Sequence, residues 1–391
     1  MVTEIDRDEL KQKLDHPKKS ILVEALPADH FRKLHLPGAI NIPADQVRTL
    51  APEQLPNKDV EVIVYCAGPA CHASREAADQ LTAMGYSNVR HYVGGKDDWI
   101  KAGLTKILVD GGDPDETLRV RNLLGFVDGQ TTNPTFVAKN PDVQRLIASG
   151  RKLTWDEQKE EYKKIVQRIS PLVGNAGVSI EVFADFNTSA EEMLAQGKEM
   201  FSWIPNAYIK YPCIYEGLRA AKMSVQQGVR VNMTLCFSQE QAAAVYAATK
   251  GAKEPVYVSP FVGRLDDRGD DGMGVVANIK KMYQDGDGHV HVLAASFRKL
   301  EHLLYSFALG AELATSPAKI LEQWAAAGFP LPDQNFRYQA VDKNGNALRP
   351  IPYKQLELNV SWESFDLKHE LTDKGIKKFV DDYKSTLKSA A

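Results

Sequence analysis

A lysine stands inside the apolar run AYIKYP, at Lys210, and its type and setting most invite chemistry. Such a lysine is either buried at a strand end or reaches solvent along its own apolar stem. If it is buried, desolvation favours the neutral amine, which can attack a carbonyl carbon and form an imine. Aldol chemistry through an imine needs a carboxylate to move a proton at a substrate hydroxyl. It also needs a relay for carbinolamine dehydration and, for a phosphorylated substrate, cations. Other short apolar runs end in Asp110, Asn133, Glu181, Thr234, Ser259 and Ser296. Asp110 and Glu181 supply two carboxylates, Thr234 a hydroxyl to hold a relay water, and Asn133 an amide for a sugar hydroxyl. The segments SPFVGR and SFRK add Ser259, Arg264, Ser296 and Arg298. The second of these falls at a strand-to-helix turn, where free N–H groups and the helix dipole favour an anion. Plainer roles exist for several: Thr234 and Ser259 as strand-end residues, Ser296 as a helix N-cap, Asp110 as the cap of the next helix. Asp128, Asp266 and Asp267 read as turn residues, and Cys213 and Cys236 as structural thiols.

A second candidate lies near the front of the chain. Cys66 ends the buried run EVIVYC and opens the loop CAGPACHAS, which a helix closes. Backbone N–H groups in such a loop are expected to lower the thiol's pKa and to stabilise a persulfide anion. Cys71 is placed either to resolve a persulfide on Cys66 or to fill space, and His72 reads as a loop surface residue.

Two α/β patterns must position these groups. In the first, ILVEAL (21–26), AINI (39–42), EVIVYC (61–66) and VRHYV (89–93) read as short buried strands. SREAADQLTAMG reads as a helix with Gly85 at its C-terminal cap. This pattern closes near Leu104, so the expected domains are 1–104 and 105–391. The second pattern has eight strand candidates: KILVDG, GQTTNP, VSIEVF, AYIKYP, RVNMTLC, PVYVSPF, HVHVLAAS and AELATSP, with helical segments between them. That alternation predicts an α/β fold with a (β/α)8 barrel preceded by a small α/β domain. A doubly wound sheet would open on a Gly-rich turn that KILVDGGDPDE lacks. The tail from Leu331 is loop-like until HELTDKGIKKFVDDYKS, a terminal helix expected to be capped by Thr372.

The chain's 391 residues favour two domains over one. A net charge of −3 argues against a nucleic-acid partner. No apolar run approaches the roughly 18 residues of a membrane span, and the start MVTEIDRDEL is charged where a signal peptide is apolar. Four uneven cysteines do not make a disulfide framework, and a cytoplasmic protein with reduced thiols is expected.

The segments VDGGD, TTNPT, SIEV, IKYPCIYEGLRA, NMTLCFS, VSPFVGRLDD and VLAASFRK, in this order, resemble the transaldolase family. The ending FDLKHELTDKGIKKFVDDY resembles it too. The resemblance implies a Lys210 imine with a ketose donor and Asp110 as acid/base at carbon–carbon cleavage. It places Glu181 and Thr234 around a catalytic water, Asn133 and Ser259 at hydroxyls, and Arg264, Ser296 and Arg298 at phosphate. Thr132 and Phe261, in the same segments, are expected to touch substrate. No metal or organic cofactor is implied, and the partners are phosphorylated ketose and aldose sugars. Fructose 6-phosphate aldolases share the lysine but are shorter, often with Gln where this chain has Glu181. Tyr211, Cys213 and Tyr215 depart from the family's smaller side chains, which leaves the acceptor open. Residues 1–104 resemble a rhodanese domain through HFRKLHLPGAINIP, VIVYCAGPACHASREAADQL and GYSNVRHYVGGKDDW. That implies Cys66 as nucleophile, Glu24 as the early acidic residue and a sulfane-sulfur donor as partner. The alternative is a barrel kept as a regulatory scaffold with a redox- or sulfur-sensing front domain. A homo-oligomer is compatible with either reading.

Overall fold

The computed structural model describes residues 2–14, 20–33, 35–36, 38–96, 98, 105–330, 332 and 336–388. They divide into two compact units, one around a five-stranded sheet and one around an eight-stranded barrel. The expected boundary at Leu104 and the start of the tail at Leu331 lie outside the described residues.

In the first unit the strands are β1 (Thr3–Ile5), β2 (Ser20–Glu24), β3 (Ile40–Asn41), β4 (Glu61–Tyr65) and β5 (Val89–Tyr92), in the parallel order β1-β5-β4-β2-β3. Four of them coincide with apolar runs in the sequence. β1 has no such run: Thr3 and Glu4 are exposed, and its pairing with β5, Thr3 to Ile5 opposite Arg90 to Tyr92, makes it an edge strand. The sheet is covered on both faces, so alternate residues of β4 serve different cores. Val62 and Val64 pack with Val47, Ala77 and Leu81, while Ile63 and Tyr65 pack with Leu10, Leu22 and Tyr92. This explains why EVIVY reads as a continuous apolar run. Helix Ala73–Ala83 follows β4, and Gly85, at φ 87°, ends it with the left-handed turn that glycine adopts most easily. The chain order reverses direction between β2 and β4, and the C-terminal ends of strands at such a point form a crevice. Glu24 and Cys66 stand there.

In the second unit the strands are β6 (Lys106–Asp110), β7 (Gly129–Thr131), β8 (Gly177–Glu181), β9 (Ala207–Pro212), β10 (Val231–Cys236), β11 (Val256–Pro260), β12 (Val290–Ala294) and β13 (Leu313–Ser316). All pair in parallel and in chain order, and β13 closes on β6 with Ala314 opposite Ile107. The expected barrel is present. β8 to β11 are buried along their whole length. Helices Trp155–Ile169 and Ala190–Phe201 start on capping boxes, Thr154 with Glu157 and Ser189 with Glu192. Short helices at Pro134–Lys139 and Val262–Asp267 were not legible as periodic patterns. Asp266 and Asp267 belong to the latter rather than to a turn.

The terminal helix Glu370–Ser385 is capped by His369, whose ring accepts from the Leu371 N–H. Thr372 is therefore not the cap. It is buried in the first turn, where its hydroxyl donates to the Leu235 carbonyl and accepts from Gln241 Nε2, both at 2.9 Å. Leu235 has φ 57° at a register shift in β10, a left-handed conformation that costs a branched side chain about 1–2 kcal/mol. The hydrogen bond from Thr372 is one of the contacts holding it there. Among the described residues no helix is long and apolar enough to cross a membrane.

Candidate active sites at the barrel mouth and the Cys66 loop

Parallel registry brings the strand ends of β6 to β12 to one mouth. Lys210 is 3% exposed, and its register partners are Glu181 on β8 and Asn232 on β10. Its Nζ lies 3.2 Å from Glu181 Oε2 and donates to the Thr132 carbonyl at 3.3 Å. The lysine is thus buried and does not reach out to solvent. Burial pushes the Glu181 carboxyl up, against the pull of Lys210. Burial likewise pushes Asp110 up, opposed by the Lys210 charge and by Thr131 Oγ1, which donates to Asp110 Oδ1 at 2.7 Å. Asp110 is in β6 and does not cap the next helix; the carbonyl of Asp113 accepts from Thr117 there. Glu181 Oε2 and Thr234 Oγ1 are buried and make no aligned hydrogen bond among the described residues.

The remaining predicted residues surround this centre with different degrees of commitment. Asn133 caps helix Pro134–Lys139, its Oδ1 accepting from the Phe136 N–H at 3.0 Å. The Thr132 hydroxyl is turned to the Ser179 carbonyl and Tyr162, so its carbonyl is the group that meets Lys210. Ser259 Oγ donates to Asn232 Oδ1 at 2.8 Å. Ser296 is not an N-cap: Lys299 is, and Ser296 sits at φ 64° in the turn before it. Its carbonyl accepts from the Gly263 N–H at 2.9 Å. Only glycine fits there, because a Cβ at 263 would come within 2.3 Å of that carbonyl. Arg298 is exposed and pairs with Asp267 at 3.0 Å. The Arg264 guanidinium lies over the rings of Phe261 and Phe379, the latter from the terminal helix. Burial pulls its pKa down, and the charges of Glu181 and Asp110 act on it.

Several residues at the mouth were missed by the reading of the sequence. Asn232 is fully buried and bridges Ser179 Oγ and Ser259 Oγ. Tyr162 accepts from the Glu181 N–H at 2.9 Å and meets Thr132 at 2.6 Å. His302, fully buried, accepts from the Arg298 N–H at 3.2 Å and has its other ring nitrogen 2.9 Å from Asp266. Buried polar residues inside apolar runs are the one clue that could have found Ser179 and Asn232. A cavity beside Glu181 is lined by Pro134, Phe183, Pro212 and Leu235 and closed by Ile376, Phe379 and Val380 of the terminal helix.

In the first unit, Cys66 is buried just past β4. Contrary to expectation its thiol is pushed up, by burial first and by the neighbouring Cys71. Cys71 is the lowered thiol: burial opposes the shift, but Cys66, the N–H groups of Ala67 and Ala73, and Lys96 outweigh it. The Ala67 and Ala73 N–H groups face the more exposed sulfur, while the Ser74 N–H and hydroxyl face Cys66 without outweighing its burial. Glu24 is fully buried and accepts from Lys96 Nζ and the Tyr65 hydroxyl, both at 2.7 Å. The Lys96 N–H donates to the Cys66 carbonyl at 3.0 Å. Gly95, at φ 58°, lets this turn pass, since a Cβ there would lie 2.5 Å from that carbonyl. His72 is exposed, as a loop surface residue should be. Cys213 and Cys236 are both fully buried.

Comparison with known proteins gives matches to each unit. A family described as Transaldolase/Fructose-6-phosphate aldolase matches residues 107–390, and one described as Rhodanese-like domain matches residues 6–102. The chain is 36% identical over 261 residues to a probable transaldolase of Bacteroides thetaiotaomicron, covering 67% of this chain and 90% of that one. It is 35% identical over 265 residues to a probable transaldolase of Dehalococcoides mccartyi, covering 68% and 92%. Among solved structures it is similar to a rhodanese with anions from E. coli, at 30% identity and a TM-score of 0.19, covering 20% of this chain and 89% of that one.

Proposed function

Because the chain belongs to the transaldolase/fructose-6-phosphate aldolase family, we propose that its barrel is a transaldolase, moving a dihydroxyacetone unit from a ketose phosphate to an aldose phosphate through an imine on Lys210. The observation that carries this reading is the burial of Lys210 against Glu181, 3.2 Å away. A carboxyl raised by burial is a good proton acceptor for the neighbouring ammonium, leaving a neutral amine to attack the ketose C2 carbonyl. Glu181 and the Thr234 hydroxyl have buried oxygens free of aligned hydrogen bonds. Between them a water carries a proton to the carbinolamine hydroxyl, which leaves as water to give the iminium.

Asp110 then takes the proton from the C4 hydroxyl, the C3–C4 bond breaks, and its electron pair moves into the iminium to form an enamine. The aldose phosphate leaves. An acceptor aldehyde takes its place, the enamine attacks it, and Asp110 returns the proton; water then adds to the iminium, the C–N bond breaks, and the new ketose phosphate leaves Lys210 as a free amine. Asn133 and Ser259 hold hydroxyls, Thr132 and Phe261 border the substrate, and Arg264, Ser296 and Arg298 bind its phosphate. No step in this sequence calls for a metal or organic cofactor.

The test is borohydride reduction in the presence of fructose 6-phosphate, followed by peptide mass spectrometry. A three-carbon adduct on Lys210 is expected, and its loss in Lys210→Met. Folded protein that traps nothing would overturn the imine reading in favour of a scaffold. Free glyceraldehyde 3-phosphate released at the same rate with and without erythrose 4-phosphate would identify simple aldol cleavage instead.

For the rhodanese-like domain the proposed activity is sulfur transfer with a persulfide on Cys66. Thiosulfate-dependent persulfidation, read as a 32 Da addition to the Cys66 peptide and absent in Cys66→Ser, tests it.

A further inference from the structure

Burial leaves Cys66 with a problem: attack on sulfane sulfur needs the thiolate, yet burial and then Cys71 hold the thiol up against the Ser74 hydroxyl and N–H. The surrounding residues offer a way out. Cys66 Sγ lies 2.9 Å from Ser74 Oγ, in the first turn of helix Ala73–Ala83. Ser74 Oγ lies 2.9 Å from His91 Nε2, on β5. Ser74 is 1% exposed and His91 6%, so the chain of contacts is closed to water. His91 Nδ1 is buried and makes no hydrogen bond among the described residues, so the ring meets the loop only through Nε2.

We propose that Cys66, Ser74 and His91 form a proton relay that converts the buried Cys66 thiol to the thiolate as it attacks a sulfane-sulfur donor. The proposal rests on the sulfurtransferase reading of this domain. In the resting state the Cys66 thiol has the Cys71 carbonyl as acceptor at 3.3 Å. On attack its proton passes to Ser74 Oγ while the Ser74 proton passes to His91 Nε2. The Ser74 hydroxyl then donates to the sulfur, and the imidazolium donates to Ser74. With thiosulfate as donor, the Cys66 thiolate bonds to the outer sulfur, the sulfur–sulfur bond of the donor breaks, and sulfite leaves with its electron pair. Cys66 is left as a persulfide, and the proton on His91 returns to solvent or to the next acceptor thiol. Serine is the right residue in the middle because a hydroxyl donates and accepts at once.

The charges around the relay keep His91 ready to receive. Burial, and then the Arg75 guanidinium, hold the imidazole neutral, while Glu4 and Asp79 pull the other way. Glu4 is the register partner of His91 on β1, and it pairs with Arg75 at 3.2 Å, which mutes both charges. Cys71 and Lys96 are the titratable groups on the other side of the loop, and Lys96 is neutralised by Glu24.

The test is the rate of carbamidomethylation of Cys66 against pH in the full-length protein. Peptide mass spectrometry reads Cys66 and Cys71 separately, and Ser74→Ala and His91→Gln are compared with the parent. Glutamine keeps a hydrogen-bonding group near Nε2 but cannot take the proton. Both variants are expected to slow Cys66 about tenfold at pH 7 and to move its pH profile up by about one unit, with Cys71 unchanged. Ser74→Thr, which keeps the hydroxyl, is expected to restore the rate. An unchanged Cys66 profile in His91→Gln would overturn the relay. So would equal slowing of Cys66 and Cys71, which is the mark of a disturbed loop. Because alkylation needs no sulfur donor, a protein that fails to persulfidate but shows the predicted profiles would refute sulfur transfer and leave the relay standing.

Discussion

Asp110→Asn separates imine formation from carbon–carbon cleavage. The asparagine side chain has the shape of the aspartate, and its carbonyl oxygen keeps the 2.7 Å bond from Thr131, itself held by Thr315 at 2.6 Å. Lys210, Glu181 and Thr234 are untouched, so the ketose still condenses with the amine. What is lost is the group that takes the C4 proton. General-base contributions of this kind are worth roughly 10²–10⁴-fold, about 3–5 kcal/mol of barrier. The fall is expected in kcat with KM little changed. The diagnostic assay is the mass of the reduced adduct: a three-carbon unit on Lys210 in the parent protein, and an intact six-carbon sugar phosphate in the variant. The pH profile gives a second reading. Asp110 and Glu181 are both displaced upward by burial, and both lose their basic form as pH falls. The acidic limb of the parent's kcat/KM therefore lies above the ordinary carboxylate range and carries two protons; the variant's should carry one. A three-carbon adduct accumulating in the variant at the parent's rate would refute the role given to Asp110.

Three other substitutions probe the frame around the site. Asn232→Ala removes the bridge between Ser179 and Ser259 and leaves two buried hydroxyls short of a partner, so urea unfolding should show a loss of about 1–3 kcal/mol. Gly375→Ala puts a Cβ 2.6 Å from Leu235 Cδ2 and 2.7 Å from Arg264 Nη1. Arg264 must shift, and the KM for a phosphorylated ketose should rise several-fold while unphosphorylated dihydroxyacetone is unaffected. Asp128 is raised to about 6 by burial, opposed by the bond it accepts from the Ile107 N–H. Its folded value lies above its unfolded one, so its contribution is full below about pH 4 and is lost as pH rises through about 6. Asp128→Asn keeps the acceptor and should gain on the parent by about 1 kcal/mol at pH 7, discounted for the partial exposure of the side chain, with the gap closing toward pH 4. Equal stability curves for the two proteins would count against that assignment.

The amino-acid sequence by itself determined the strands of the barrel and the residues at their C-terminal ends. Parallel strands covered on both faces must be apolar throughout, so KILVD, GVSIE, AYIKYP and VNMTLC stand out, and a lysine or carboxylate among them has few structural excuses. Lys210, Asp110 and Glu181 were legible for that reason. β1 and the two short helices were not, because two or three residues or a single turn leave no period to read.

Only the tertiary structure decided which polar groups meet. Ser259 was legible at its strand end, but its partner Asn232 and the next link, Ser179, come from two other strands, and Tyr162 from a helix; which of them meet is set by register. Thr372 looked like a cap because caps are recognised from one helix alone, whereas its partner, the Leu235 carbonyl, is 137 residues away. The same holds in the first unit. The loop CAGPACHAS shows two thiols, but backbone dihedrals decide how the N–H groups divide between them, Ala67 and Ala73 facing Cys71 and Ser74 facing Cys66. Ser74 and His91 reach Cys66 from a helix and from a neighbouring strand. Spacing along the chain carries the period of an element. Proximity across elements depends on register and packing, which no single segment encodes.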